Sequence, residues 1–420
     1  MWMAPTAVTD PARAVALDAD DPLAGFRERF VIPDPDLCYL DGNSLGRLPA
    51  ATAERLAQVV TEEWGRGLIG SWERWLDLPT RVGDRLAHHL LGARPGEVVV
   101  ADSTTVNLYK AAMAAVDARP GRRVLVTDDD NFPTDRYVLE GIAHRHGLEL
   151  RMVRADLDQG LDPEVLAQAL GPDVALVCLS HVAYRSGALL DLAAVTEAVH
   201  DCGALMLWDL CHSVGAVPVD LTGAGADLAV GCTYKYLDAG PGAPAFCYVR
   251  RELQDHLRPP IWGWFGQQDQ FAMGPAYHPR EGVAPFLSGS PPVLALCALE
   301  EGVALLAEAG IDRLRAKAVA MTEYLVALAD AWLAPLGVTL ASPRDPARRG
   351  SHVTLAHPRA EELVGALADR GVVVDYRVPE RLRLGPSPLS TSFDEVHRAM
   401  ARLREVACEA GSPALAGRRR

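Results

Sequence analysis

The stretch Leu228-Ala-Val-Gly-Cys-Thr-Tyr-Lys-Tyr-Leu-Asp-Ala-Gly240 sets a lysine, Lys235, just past a short apolar run. Residues 228–232 read as a buried strand, because the run is short and apolar without alternation. Gly240-Pro-Gly242 then supplies a turn, and a second apolar run covers 245–249. A lysine at a strand end inside a core segment is costly unless it is paired or chemically used. The residue is also scarce: among 41 basic residues only Lys110, Lys235 and Lys317 are lysines. Lys317, among Arg313, Arg315 and alanines, reads as a solvated helix face. Lys110, in the helical pattern after Thr105, reads as a surface residue.

Further apolar runs lie at 98–101, 123–127, 148–153, 174–179 and 205–208, with helix-patterned stretches such as 104–116 and 192–200 between them. Strand and helix in this rhythm predict an α/β fold with a mainly parallel seven-stranded sheet covered on both faces. In such a sheet ligands gather at the carboxyl ends of the strands. After Pro291-Pro292 one long helical pattern, 293–334, leads out of this unit. Strand candidates at 338–340, 353–356, 372–376 and 381–384, with helices at 360–369 and 393–410, predict a smaller α+β domain. The expected division is an N-terminal segment, 1–60, packing partly with the small domain. A large domain, 61–330, takes in the connecting helix, and a small domain, 331–410, and a tail, 411–420, follow.

Two more strand ends carry chemistry. Asp209 closes the run 205–208, and His212 follows it; the carboxylate suits either a helix N-cap or the partner of a protonated heterocycle. Ser103-Thr104-Thr105 opens a helix, where hydroxyls and free backbone N–H groups suit a phosphate. A Ser/Thr cap alone is common. Together the phosphate cradle, the carboxylate and the lysine are the set that pyridoxal phosphate requires.

Other classes fit poorly. A net charge of −14 opposes nucleic-acid binding, and Arg418-Arg419-Arg420 reads as a solvated tail. Charges interrupt every apolar run, so no membrane span is expected. Met1-Trp2-Met3-Ala4-Pro5 has no signal-peptide pattern, and a cytoplasmic protein is expected. The eight cysteines form no CxxC pair and read as buried thiols. His88-His89 and His144-Arg-His146 lack a second ligand pair, so no metal site is expected. Gly240-Pro-Gly-Ala-Pro-Ala245 fits a dinucleotide pattern on paper but precedes a strand rather than a helix. Gly42-Asn-Ser-Leu-Gly46 matches a serine-hydrolase elbow around Ser44, yet no sheet strands precede it and Pro49 delays the next helix.

From about Pro22 to Glu405 the chain resembles the kynureninases, fold-type-I pyridoxal-phosphate enzymes, and their bacterial branch in particular. The likeness rests on Tyr39-Leu-Asp-Gly-Asn-Ser-Leu-Gly46, Asp102-Ser-Thr-Thr-Val-Asn107, Asn131-Phe-Pro-Thr-Asp135, Asp209-Leu-Cys-His212, Cys232-Thr-Tyr-Lys-Tyr236 and Gly263-Trp-Phe-Gly266. The resemblance implies Lys235 as the Schiff-base lysine and Asp209 as the pyridinium partner. Phe132 would stack on the cofactor ring with Asp135 nearby, and Thr104 and Thr105 would sit near the phosphate. Ser180 and His212 match further cofactor contacts, and Tyr234 a phosphate ligand that doubles as proton donor. Trp264 and Ser290 match positions supplied by the neighbouring subunit, which implies a homodimer. Arg383 matches the residue that holds the substrate carboxylate, and Asn43 and Trp72 fall near the substrate pocket. Animal-type members carry Asn at the position of Ser290 and His near Trp72, which points toward L-kynurenine rather than its 3-hydroxy form. The implied reaction is hydrolysis of L-kynurenine to anthranilate and L-alanine, in tryptophan breakdown. A class V aminotransferase and a cysteine desulfurase are the nearest rivals. A desulfurase requires a reactive cysteine on a loop, whereas the cysteines here mostly read as buried.

Overall fold

The computed structural model describes residues 8–411, so the opening residues 1–5 and the tail arginines 418–420 lie outside the described residues. After a two-residue strand, β1 (Cys38–Tyr39), seven strands form the large sheet: β2 (Val98–Val100), β3 (Val124–Asp128), β4 (Glu149–Val153), β5 (Val174–Ser180), β6 (Leu205–Asp209), β7 (Leu228–Gly231) and β8 (Phe246–Val249). Their spatial order is β2-β8-β7-β6-β5-β3-β4. Pairings from β4 through β7 are parallel, while β8 runs antiparallel to both β7 and β2. Except in the edge strand β4, where Glu149 and Arg151 interrupt it, the apolar run lacks alternation because both faces are covered. Val124 and Val126 enter one core layer and Leu125 the other, and Met206 and Trp208 likewise oppose Leu205 and Leu207.

From β3 the chain steps outward to β4, then returns to the other side of β3 to lay down β5, β6 and β7. That reversal opens a crevice at the carboxyl ends of β3 and β5, where open α/β sheets bind ligands. The helix Thr104–Asp117 lies on one face of the sheet. Its alanines Ala111, Ala112 and Ala115 are fully buried, which permits close approach.

A second, antiparallel sheet has the order β12-β13-β10-β9, from β9 (Thr339–Leu340), β10 (Val353–Ala356), β12 (Asp375–Arg377) and β13 (Arg381–Leu384). β11 (Val372–Val373) pairs instead with β1, so the expected strand 372–376 is split in two. That pairing ties the N-terminal segment to this unit, and Cys38 and Leu40 join its core. The expected helix 293–334 is also broken. Gly310, at φ 80°, separates Val293–Ala309 from Ile311–Leu328. The second of these helices puts Leu314 into the large core and Met321, Leu325 and Leu328 into the small one. By length and composition the stretch Ile311–Leu336 would suffice to cross a membrane. Here those side chains bridge two protein cores.

Two expectations about lysines fail. Lys110 is fully buried, with Nζ 2.7 Å from Asp102 Oδ2. Lys317 is buried against Asp21 at 2.6 Å. In both cases an ion pair offsets the cost of taking the ammonium out of water. All eight cysteines are free thiols; six are buried as expected, while Cys202 is only partly buried and Cys408 is exposed.

Candidate active site

A cavity of about 610 Å³ opens at the carboxyl ends of the large sheet. It brings together Thr104, Thr105, Phe132, Asp135, Asp209, His212, Tyr234, Lys235 and Ser290. Apart from Ser290, on the loop before the Val293–Ala309 helix, each lies at or just past a strand end or at the start of a helix. Asp209 is the last residue of β6 and pairs in register with Ser180 of β5. Its Oδ1 accepts from the Cys211 N–H at 2.7 Å, and the Ser180 hydroxyl lies 3.4 Å from Oδ2. Ser180 is held in turn by Asn131 Oδ1 at 2.7 Å, and Asn131 donates to Thr127 Oγ1 at 3.1 Å. The Asp209 carboxylate is therefore braced across the crevice between β3 and β5.

Asp135 is buried beside Asp209, and its Oδ2 has no hydrogen-bond partner. Burial first, and then the neighbouring Asp209 charge, push its carboxyl well above the usual carboxylate range. Two carboxyl groups packed together beside the cavity, one with an orphaned oxygen, suit a cationic ring nitrogen. At the opposite end the helix Thr104–Asp117 is capped by Ser103, whose Oγ accepts from the Val106 N–H at 3.4 Å. Its first-turn N–H groups have no intrahelical acceptors, and with the Thr104 and Thr105 hydroxyls they suit a phosphate. Between these ends Phe132 presents a ring that packs edge-on against Tyr184, with centroids 5.4 Å apart. The amine, acid pair, aromatic face and anion cradle fit pyridoxal phosphate.

Lys235 Nζ lies 3.1 Å from His212 Nε2 and 5.9 Å from the centroid of the Tyr234 ring. Burial, and then the Lys235 charge, hold His212 well below its ordinary pKa, so its ring is neutral. Burial pushes the Tyr234 phenol upward, so it keeps its proton at neutral pH. Gly46 shows how closely the N-terminal segment approaches: a Cβ there would come within 2.4 Å of the Lys235 carbonyl oxygen.

Arg383 and Asn43 do not line the cavity; they form a cluster of their own. Arg383, in β13, pairs in register with Thr354 and Asp375 and is fully buried. It forms an ion pair with Asp375 and donates to the Tyr184 carbonyl at 2.6 Å and to Ser44 Oγ at 3.1 Å. Asn43 turns its amide oxygen to the guanidinium, accepting from Nε and Nη2 at 3.3 Å. Ser44 thus serves an arginine, and the elbow geometry of a serine hydrolase is missing. His352, which sequence reasoning missed, links the two groups. Its ring stands 5.8 Å from His212, both of its nitrogens lack hydrogen-bond partners, and Arg383 and Lys235 add to burial in lowering its pKa. Trp72 packs on Trp75 and Phe265, and Trp264 on Phe265 and Phe271, all away from the cavity lining. Among the described residues no group of three His, Cys, Asp or Glu side chains could hold a metal ion.

The kynureninase of Pseudomonas fluorescens is 47% identical over 400 residues, covering 93% of this chain and 94% of that protein. The chain belongs to the kynureninase family. A kynureninase of Burkholderia pseudomallei (strain K96243) is 46% identical over 401 residues, covering 94% of each chain. The family model of the kynureninase C-terminal domain matches residues 314–403, beginning where the connecting helix leaves the large core. Among solved structures, a cysteine desulfurase from Thermococcus onnurineus NA1 superposes with a TM-score of 0.78 at 18% identity, covering 94% of this chain and 98% of that one. A C-DES mutant with glycine covalently linked to its PLP cofactor gives 0.78 at 19% identity, covering 89% and 100%. The chain therefore shares its α/β fold with pyridoxal-phosphate enzymes of the class V aminotransferase type.

Proposed function

We propose that this protein is a pyridoxal-phosphate-dependent hydrolase that cleaves the Cβ–Cγ bond of L-kynurenine, giving anthranilate and L-alanine. The reading rests on one juxtaposition. Lys235, Asp209, Tyr234 and the N-terminus of the Thr104–Asp117 helix share one cavity in a chain of the kynureninase family. Pyridoxal phosphate supplies an electron sink for carbanion chemistry at the substrate carbons. Lys235 would be its attachment point, and the same amine is the base available in the cavity to move the α-proton. The neutral His212 ring beside Nζ can accept a hydrogen bond without adding a second positive charge. Asp209, braced by Cys211 and Ser180, would keep the ring nitrogen protonated, and Thr104 and Thr105 with the helix N-terminus would hold the phosphate.

Arg383 and Asn43 bind the substrate α-carboxylate, a task suited to a planar fork of donors. Hydrolysis adds the elements of water across the Cβ–Cγ bond, so the γ-carbon leaves as the anthranilate carboxyl and the β-carbon takes a proton. Tyr234 delivers that proton, which its raised pKa keeps available. General acid help of this kind contributes about 10²–10⁴-fold. We further read the protein as a cytoplasmic homodimer in tryptophan breakdown, with Trp264, which lies outside its own cavity lining, serving the partner's site; Ser290, expected there too, lines its own chain's cavity instead. Ser290, on the cavity wall, favours L-kynurenine over 3-hydroxykynurenine, whereas Trp72, expected near the pocket, lies outside its lining. Product analysis tests the reading: L-kynurenine should yield anthranilate and alanine in equal amounts, with a lower kcat/KM for the hydroxylated substrate. Amino transfer without anthranilate, or sulfide release from cysteine, would overturn it.

A further inference from the structure

The proposed reaction gives no role to Lys110. This residue lies in the Thr104–Asp117 helix, fully buried. Its Nζ donates to Asp102 Oδ2 at 2.7 Å and to the Phe286 carbonyl oxygen at 2.5 Å. The same Asp102 oxygen accepts from the Ser288 hydroxyl at 2.9 Å. Asp102 is the hinge between β2 and the helix, and its φ of 53° lies in the left-handed region that side chains rarely enter. Such a conformation persists where the surroundings over-determine it. Here its carboxylate is held by two donors, and its carbonyl accepts from the Ala245 N–H at 2.8 Å.

Immediately after this hinge come Ser103, Thr104 and Thr105, the anion cradle. Two residues beyond Ser288 comes Ser290, on the wall of the same cavity. One buried ammonium therefore joins two walls of the cavity at the end built to take a phosphate.

We infer that Lys110 is a positioning residue that fixes Asp102 and the 286–290 segment against each other and thereby sets the cavity's affinity for the cofactor phosphate. The inference rests on the pyridoxal-phosphate reading above. Removing the ammonium leaves the Asp102 carboxylate without its countercharge, the costly half of breaking a buried pair. The carboxylate then turns toward water and the left-handed hinge relaxes.

The test is titration of apoprotein with pyridoxal phosphate and, in parallel, with pyridoxal, which lacks the phosphate. Lys110→Met should weaken pyridoxal phosphate about tenfold or more while pyridoxal stays within about twofold, and Lys110→Arg should recover most of the loss. A merely structural lysine would weaken both ligands alike, and that result, or unchanged affinity for both, would overturn the inference. Should Lys110→Met fail to fold, Ser288→Ala removes one donor from Asp102 and should show a smaller loss, again confined to pyridoxal phosphate. Wild-type protein that takes up no pyridoxal phosphate would overturn the underlying reading before any variant is made.

Discussion

The two halves of the site are built in opposite ways. The half around Lys235 stands on the carboxyl ends of buried parallel strands, where Asp209, Ser180 and Asn131 brace one another across neighbouring strands. The half around Arg383 stands on a small antiparallel sheet and draws Asn43 and Ser44 from a segment more than 300 residues away. One presents single groups with controlled protonation to a cavity; the other presents a fixed cation held by Asp375 and neutral acceptors. On the proposed reading the first half carries the chemistry and the second grips the substrate, so kcat and KM should separate under mutation.

The sharpest break is Lys235→Ala, which should remove cofactor attachment and drop turnover to background, read as loss of the visible cofactor band. Tyr234→Phe comes next. It should keep the cofactor and lower kcat by about 10²–10⁴-fold with KM little changed, measured by steady-state anthranilate release. A wild-type kcat would remove Tyr234 from the chemistry. Arg383→Lys keeps the charge but loses the fork, so it should raise KM about tenfold with a smaller effect on kcat. A pure kcat defect would dissolve the division between the halves.

The smallest expected effect concerns His352, between the halves. Burial, with Arg383 and Lys235, holds it well below its ordinary 6.5. The unfolded chain binds a proton near that pH and the folded one does not. Its stabilising contribution is thus complete above about pH 6.5 and falls with acidification, by up to about 1.4 kcal/mol per pH unit. His181 and His212, also lowered, have the same sign. Asp128, pushed up to about 7, works oppositely, being lost as pH rises through that value. Both effects persist in His352→Gln, so denaturant midpoints between pH 5 and 7 should show only a shallower acid slope. An unchanged slope would contradict a neutral buried His352.

The same contrast governs what was legible in the sequence. All seven strands of the large sheet were readable, six because a strand buried on both faces is an apolar run and the edge strand β4 because its apolar residues alternate with Glu149 and Arg151. Asp209 and Lys235 stand directly after such runs, so their places followed from local pattern. The Arg383 half left only its strand pattern; the resemblance to kynureninases alone placed Arg383 and Asn43 in a site, Ser44 was read for a different chemistry, and Asp375 and His352 were missed as site residues. Their partnerships depend on strand register across distant segments. Lys110 and Lys317 were misread because helical spacing does not say which face meets an acid, and Asp21 and Asp102 lie outside their helices. The break at Gly310 was hidden by continuous helical pattern on both sides, although the glycine itself, at φ 80°, was a visible signal.

The central claim is that one amine of three carries the cofactor. Reducing the pyridoxal-phosphate-loaded protein with borohydride and mapping the added mass by peptide sequencing tests it most directly. The label should sit on Lys235 alone, and prior addition of L-kynurenine should lower it. Label on Lys110 or Lys317, or no label at all, would contradict the account.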